Sequence, residues 1–336
     1  MRSHDALHRL FALLVALGGV VTMLSTGCTP GDAASVPDAV SSGTGADRQA
    51  PELPGDESQG ASARSFEVGT FNIRYATLSD GPDAWPNRRR DVCAMLDGGE
   101  VWGLQEVLPE QLDEILRACT SMGHVARTRE VDPARGESCA ILFDRERWEL
   151  DPLEHGTFWL SETPDVPGSK SWDSSIARIA TFARLVDRSV DPDGSALAPR
   201  AFSIYNVHLD HRGSIAREEQ VKVVLARIAA RSHANEPVVL VGDFNTGPES
   251  APIATVLAST SGFADAWRVA NPGVPEQGTF NGWNESCGTT RIDFIFTRGL
   301  SIERASVDLT RRSNGRWPSD HVPVRATVGF IKDLGR

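Results

Sequence analysis

Apolar and polar positions give this chain three successive textures. Leu10 to Leu24 is an almost unbroken apolar run, preceded by Arg2, His4, His8 and Arg9. Residues 29–64 are rich in Ala, Ser, Gly, Pro and Asp and hold almost no large apolar side chains. From Ser65 to about Ile331, short β-branched and aromatic runs alternate with stretches of helical spacing. Strands are predicted at Phe66–Arg74, Val101–Glu106, Ser138–Phe143, Gly156–Leu160, Ile176–Val186, Phe202–His208, Pro237–Gly242, Ile292–Thr297, Ile302–Leu309 and Val324–Phe330. Helices are predicted at Pro86–Leu96, Pro109–Ser121, Ile215–His233 and Ala251–Ser259. In the third helix Val221, Val224, Leu225, Ile228 and Ala229 recur on one face, and Glu218 and Glu219 read as an acidic first turn. Asp187–Arg200, with its Asp-Pro-Asp-Gly core, reads as a hairpin turn with a surface excursion. Many strands with helices in the longer connections predict an α/β fold of two sheets packed face to face, helices outside.

The first apolar run is too short to span a bilayer comfortably and reads as a signal peptide. It ends Ser25-Thr26-Gly27-Cys28, similar to the lipobox of bacterial lipoproteins, although Ser25 stands where that motif carries Leu. Cys28 is thus a candidate lipidation site, the other reading being an ordinary cleaved signal with an incidental cysteine. Residues 29–64 cannot build a core and read as a disordered tether. The expected organisation is a lipoprotein-type signal peptide at 1–28, a tether at 29–64 and one folded domain at 65–334. The expected protein is an exported monomer, held at a membrane by an N-terminal lipid anchor or otherwise secreted.

Composition changes this picture little. The chain has 336 residues, 40% hydrophobic and 24% charged, in keeping with a globular domain plus appendages. Its formal net charge of −11 disfavours nonspecific binding of duplex nucleic acid. It leaves room for an enzyme that meets phosphodiesters through a bound cation and a local basic patch. Cys93, Cys119, Cys139 and Cys287 have no zinc-site spacing. Cys93 and Cys119 fall in neighbouring helical segments, Cys139 reads as a buried thiol, and pairing does not follow from sequence.

Chemistry concentrates where predicted strands end. Val241-Gly242-Asp243-Phe244-Asn245, Arg291-Ile292-Asp293-Phe294 and Ser319-Asp320-His321 each follow or open an apolar run. Side by side, such strands gather oxygen ligands for a hard cation, a base for water and donors for phosphoryl oxygens. Asp243 and Asn245, two apart, are expected to share a face. A buried Asp293 between Ile292 and Phe294 needs a partner. Asn72 in Thr70-Phe71-Asn72-Ile73-Arg74 and Glu106 in Leu104-Gln105-Glu106-Val107 also end strands, as does His208 in Val207-His208-Leu209-Asp210-His211. Each has a plainer reading: a turn asparagine, a helix-capping glutamate, a core histidine. Trp172, Asp173 and Arg178 on or beside one loop, and Thr279, Phe280 and Trp283 on another, are candidate substrate contacts. Arg88, Arg89 and Arg90 read as a solvated helix face.

Six such motifs occur in the order found in the endonuclease/exonuclease/phosphatase (DNase-like) superfamily, which the chain resembles from about Phe66 to Phe330. Phe158-Trp159-Leu160-Ser161-Glu162-Thr163-Pro164 and Pro167-Gly168-Ser169-Lys170-Ser171-Trp172-Asp173 look like the bacterial exported branch nearest the deadenylase/nocturnin-like enzymes. The resemblance implies a four-layered α/β sandwich, two packed mixed sheets flanked by helices. It implies Mg²⁺ (or Mn²⁺) held by Asn72, Glu106 and Asp320. Catalysis would fall to His208, Asp243, Asn245, Asp293 and His321, with a protonated His208 aiding the leaving group and Asp293 buttressing His321. Substrate contacts would come from Glu137, Trp172, Asp173, Arg178, Asp210, His211, Phe280 and Trp283, with Asp210 and His211 otherwise orienting their loop. Glu137 is expected to pair with His208, or else with Arg135. The expected partner is a phosphate ester: nucleic acid, nucleotide, sugar phosphate or lipid headgroup. A catalytically silent, ligand-binding surface lipoprotein on the same scaffold is the reading from another class.

Overall fold

The computed structural model describes residues 65–189 and 200–331. The expected signal peptide, Cys28, the expected tether and most of the predicted hairpin excursion lie outside the described residues.

The first sheet gathers β1 (Ser65–Asn72), β2 (Val101–Val107), β3 (Met122–Val125) and β4 (Ser138–Asp144) with β11 (Leu300–Val307) and β12 (Val324–Phe330). The second gathers β5 (Trp148–Trp159), β6 (Ile179–Asp187), β7 (Ala201–His208), β8 (Val238–Asp243), β9 (Ala264–Asp265) and β10 (Asp293–Arg298). The helices are α1 (Trp85–Leu96), α2 (Pro109–Ala118), α3 (Ser214–Ala229), α4 (Ala251–Val256) and α5 (Ala266–Ala270). The strand orders are β11-β12-β1-β2-β4-β3 and β5-β6-β7-β8-β10-β9. Each sheet is mixed: β1–β2 and β7–β8 are parallel pairs, and their other neighbours run antiparallel.

Side-chain alternation assigns the layers. Val101, Ile141, Phe202, Ile204, Val239, Val241 and Ile295 point between the sheets and form one core. Their neighbours Trp102, Leu104 and Leu142 pack outward against Val92, Leu96 and Ile115 of α1 and α2. Tyr205, Leu240, Phe294 and Phe296 pack outward against Val221, Val224 and Ile228 of α3 and Ile253 of α4. The predicted four-layered sandwich is therefore the observed one. A polar strut crosses the central layer. Gln105 Nε2 donates to Thr70 Oγ1 (3.0 Å) and Asn206 Oδ1 (2.7 Å), while Asn206 Nδ2 donates to the Leu104 and Ala140 carbonyls (2.9 and 2.8 Å). Bonded this way, the buried amides fix the offset of one sheet against the other just below the strand ends, although Gln105 Oε1 has no partner among the described residues.

Differences from the sequence reading are local. Strands β3 and β9 were not expected; at four and two residues they are too short to show a period. Strand β5 begins earlier, at Trp148, because the polar stretch after it carries a register shift between Leu150 and His155 that hides the alternation. Helix α3 starts at Ser214, so Glu218 and Glu219 sit beyond its first turn. Strands β6 and β7 pair antiparallel from Ala180↔Val207 to Val186↔Ala201, as the hairpin reading requires. Cys93, Cys119, Cys139 and Cys287 are free thiols. Among the described residues no helix is long and apolar enough to cross a membrane.

Candidate active site

The C-terminal ends of β1, β2, β7 and β8 and the start of β10 meet at one edge of the sandwich. Register fixes the meeting. His208 lies beside Asp243 in the parallel β7–β8 pair, and Asp293 lies opposite Asp243 in the antiparallel β8–β10 pair. Gly242, one residue earlier, has φ 146°, and a Cβ there would stand 2.0 Å from the Val207 carbonyl oxygen. Glycine is required at that point for β8 to deliver Asp243 against β7.

Asp243 is the hub. Its Oδ2 accepts from Asn72 Nδ2 (3.1 Å) and lies 3.4 Å from His208 Nε2 and 3.7 Å from His321 Nε2. Burial and the neighbouring Asp293 carboxylate push Asp243 up to about 7. His321 Nδ1 is 2.9 Å from Asp293 Oδ2. Burial opposes charging of that ring, but Asp293 and Asp243 outweigh it and raise His321 to about 10. Thr279, read from sequence as a substrate contact, is instead buried and accepts the backbone N–H groups of Ile292 and Asp293 at 3.0 and 3.1 Å. The Phe280 ring covers His321 edge-on at 5.0 Å and faces the cleft.

In metal-free protein the His321 ring is expected to stay imidazolium up to about pH 10. Its folded pKa lies above the unfolded one, so its contribution to stability is complete below about pH 6.5 and is lost as pH rises through about 10. Histidine ring NMR during a pH titration checks this; a His321 midpoint near 6.5 would contradict the geometry.

Beside this group stand Glu106 and Asp320. Glu106 accepts Asn72 Nδ2 on one oxygen and Tyr75 N–H on the other, both at 3.1 Å. Arg74 comes within 4.0 Å of Glu106 and 3.9 Å of Asp320. Burial, and the nearby Glu106 charge, raise Asp320, although the cations around it pull the other way. Two carboxylates that repel one another in a cleft with no thiol lining are hard oxygen donors suited to a divalent cation of the Mg²⁺ or Mn²⁺ kind. Asp243, Asp293 and His321 also cluster closely enough to suggest a metal. The geometry favours Glu106 and Asp320, because His321 Nδ1 and Asp293 Oδ2 already bond one another at 2.9 Å. Asn72 joins the site through its amide nitrogen, bridging Glu106 and Asp243, while its oxygen accepts Arg74 N–H at 3.0 Å. It therefore positions the carboxylates.

Several expectations change. Asp243 and Asn245 do not share a strand face, since β8 ends at Asp243 and Asn245 turns to φ 51° with its N–H on Asp243 Oδ1 (2.8 Å). Asn245 still lines the cleft, with Nδ2 donating to the Leu209 carbonyl. His208 is not the imidazolium: burial and the charges of Arg178 and Arg129 drive it well below the usual histidine range. Glu137 pairs with neither His208 nor Arg135. Arg129 takes both its oxygens at 2.8 and 2.7 Å. Asp210 does not face substrate; it is fully buried and accepts from Ser175, Arg212 and Gly213, tying two loops together. Asp173 caps α3 through Ala216 N–H (2.6 Å). Trp172 and Trp283 lie outside the lining, Trp283 packing with Cys287, Trp317 and Val322. Arg178 and His211 do line the cleft, which has a volume of about 390 Å³.

Arg88 is the largest correction. It is fully buried, and its guanidinium donates to the carbonyls of Asp83 (2.8 Å), Ile73, Arg74 (2.7 Å) and Pro318 (3.2 Å). Arg89 and Arg90 are exposed as expected. Arg88 thus ties the end of β1 to the segment that carries Asp320. Arg88→Met is expected to cost about 3 kcal/mol, because it strands buried carbonyls. Denaturant unfolding measures it, and a loss under about 1 kcal/mol would contradict the strut. The sequence hid this residue among three adjacent arginines; only its place at Trp85, Arg88, Val92, Met95 in the helical period pointed inward. Arg129 was also missed, for no motif surrounds it. Arg74, Glu106, Trp172, Asn245 and Trp283 are the non-glycine residues with left-handed φ among the described residues, and all lie in the cleft or the loops flanking it. Backbone strain concentrated this way marks a working site.

A sequence profile described as "Endonuclease/Exonuclease/phosphatase family" matches residues 69–321. No curated protein matches the chain. Among solved structures, an endonuclease/exonuclease/phosphatase from Bacteroides vulgatus aligns with TM-score 0.72 at 26% identity, covering 80% of this chain and 99% of the other. A mannosyl-6-phosphatase from Bacteroides thetaiotaomicron aligns with TM-score 0.68 at 28% identity, covering 79% and 100%. The human Nocturnin catalytic domain with bound sulfate aligns with TM-score 0.60 at 17% identity, covering 81% and 95%, a likeness of fold.

Proposed function

Because the chain belongs to the endonuclease/exonuclease/phosphatase family, we propose that it is an exported, Mg²⁺-dependent phosphoesterase acting on small hydroxylated phosphate esters of the sugar-phosphate class. Members of this family are phosphoesterase hydrolases, generally dependent on a divalent metal. The observation that carries the reading is one cleft holding a carboxylate pair, Glu106 and Asp320, beside the Asp293–His321–Asp243 chain. Its modest volume, its wall of Arg129 and Arg178 and the likeness to a sugar phosphatase favour a small substrate. The acidic balance of the chain disfavours a long polyanion. The leader and Cys28 favour export with a lipid anchor.

When bound between Glu106 and Asp320, a divalent cation supplies the charge that offsets a phosphoryl oxygen and the leaving oxygen. Asp243 takes the proton of the attacking water. The His321 imidazolium, kept charged by Asp293, donates to a phosphoryl oxygen as negative charge grows there. Asn245 has one amide hydrogen on Leu209 and offers the other to the same region. His208, being neutral, orients Asp243 and donates a single N–H.

Purified full-length protein is expected to release phosphate from sugar phosphates faster than from inositol phosphates, sphingomyelin, RNA or DNA. Activity should vanish in EDTA and return with Mg²⁺ or Mn²⁺. Faster cleavage of nucleic acid ends would replace the substrate class, and no turnover of any ester would leave a binding lipoprotein.

A further inference from the structure

Among the described residues, Arg178 lines the cleft without a carboxylate in hydrogen-bond reach of its guanidinium. Its side chain is 4% exposed, yet among the described residues its Nε has no hydrogen-bond acceptor. The nearest carboxylate oxygen, Asp210 Oδ2 at 3.8 Å from Nε, is already engaged by Ser174, Ser175 and their backbone. Its Nη2 reaches only His211 Nδ1, at 3.0 Å. The other guanidinium in this wall, Arg129, is neutralised bidentately by Glu137. Burial, reinforced by the Arg129 charge, lowers the Arg178 pKa, as expected of an under-compensated cation. Natural proteins rarely bury a guanidinium this way without an anion to receive its fork. The wall behind it is shut. Between Arg178, His208, Cys139 and Ile179 only about 10 Å³ remains, at most enough for one water.

We infer that Arg178 selects phosphate monoesters over diesters by holding a third unesterified phosphoryl oxygen. The inference rests on the phosphoesterase reading above and adds the ester class and the residue that sets it. The cleft offers three directions to a tetrahedral phosphate besides that of its leaving group. In this proposal one oxygen would face Glu106 and Asp320, a second His321 and Asn245, and the third Arg178 and His211, all of which line the cleft. A monoester dianion carries three unesterified oxygens and fills all three. A diester carries two, so it must push a substituted oxygen against a closed wall and leave the buried guanidinium without an anion. Such a loss discriminates by roughly two orders of magnitude or more.

The test compares p-nitrophenyl phosphate with bis(p-nitrophenyl) phosphate, using the full chain with Mg²⁺. The monoester should be preferred in kcat/KM by a factor on the order of 10². Arg178→Met should lower monoester turnover by on the order of 10² while sparing the diester, so the preference collapses, and Arg178→Lys should restore it only in part. Circular dichroism and thermal melting check, independently of activity, that the variants fold. Inorganic phosphate, titrated calorimetrically into the Mg²⁺-loaded protein, should bind at least tenfold more weakly to either variant. Equal use of both esters by the unaltered protein, or equal loss of both in Arg178→Met, overturns the assignment while leaving the phosphoesterase reading intact. If neither ester turns over, the phosphoesterase reading falls, and the phosphate titration alone decides whether Arg178 holds the anion.

Discussion

Asp243→Asn is expected to lower kcat by a factor on the order of 10³ to 10⁴ with little change in KM. The substitution keeps the shape of the side chain. It also keeps an oxygen that can accept the Asn245 N–H at 2.8 Å. It removes the group that takes the water proton, and it removes negative charge facing both His208 and His321. Removing the charge relieves the repulsion with Asp293 that pushes Asp243 up to about 7, but the amide turns a donor toward Asn72 Nδ2 and the His321 imidazolium, so the melting temperature is expected to fall modestly while the variant stays folded. A variant that unfolds would say the carboxylate is structural. One that keeps full turnover would remove it from the chemistry.

His321→Ala carries the second largest effect, because it disturbs two things at once. Loss of the imidazolium donor is expected to slow turnover by on the order of 10² to 10³. It also leaves Asp293 buried, fully enclosed, with its only side-chain hydrogen-bond partner among the described residues gone. An uncompensated buried carboxylate costs about 3 kcal/mol, so the variant should melt lower at neutral pH. Combining it with Asp293→Asn should recover stability without recovering activity, a non-additivity that a double-mutant cycle isolates. If His321→Ala and Asp293→Asn prove additive in stability, the two residues are not the couple described.

Much of this site was readable because its motifs sit at strand ends. Val238 to Val241 and Ile292 to Phe296 announce buried strands by composition, and a polar residue closing such a run must reach an edge. Their positions therefore foretold Asp243 and Asp293, as the run Phe202 to Val207 foretold His208. Residues outside such runs were misplaced. Asp210 and Asp173 look like rim carboxylates in one dimension, yet each is used to accept backbone N–H groups. Glu137 was given two partners by proximity in sequence and took a third, Arg129, across a turn. A side-chain hydrogen bond depends on direction as well as nearness, and direction is set by backbone angles that composition does not encode.

By itself the sequence determined the layers: period-two strands with one face for each core, helices with one apolar stripe, and the order in which chemical groups reach the edge. Only the tertiary structure decided which of those groups carry charge. His208 and His321 look alike along the chain, but one faces two guanidinium groups and is kept neutral, while the other lies between two acids and is kept charged. The physical reason is that burial makes a side chain's ionisation depend on the few charges packed around it, and those come from strands far apart in sequence.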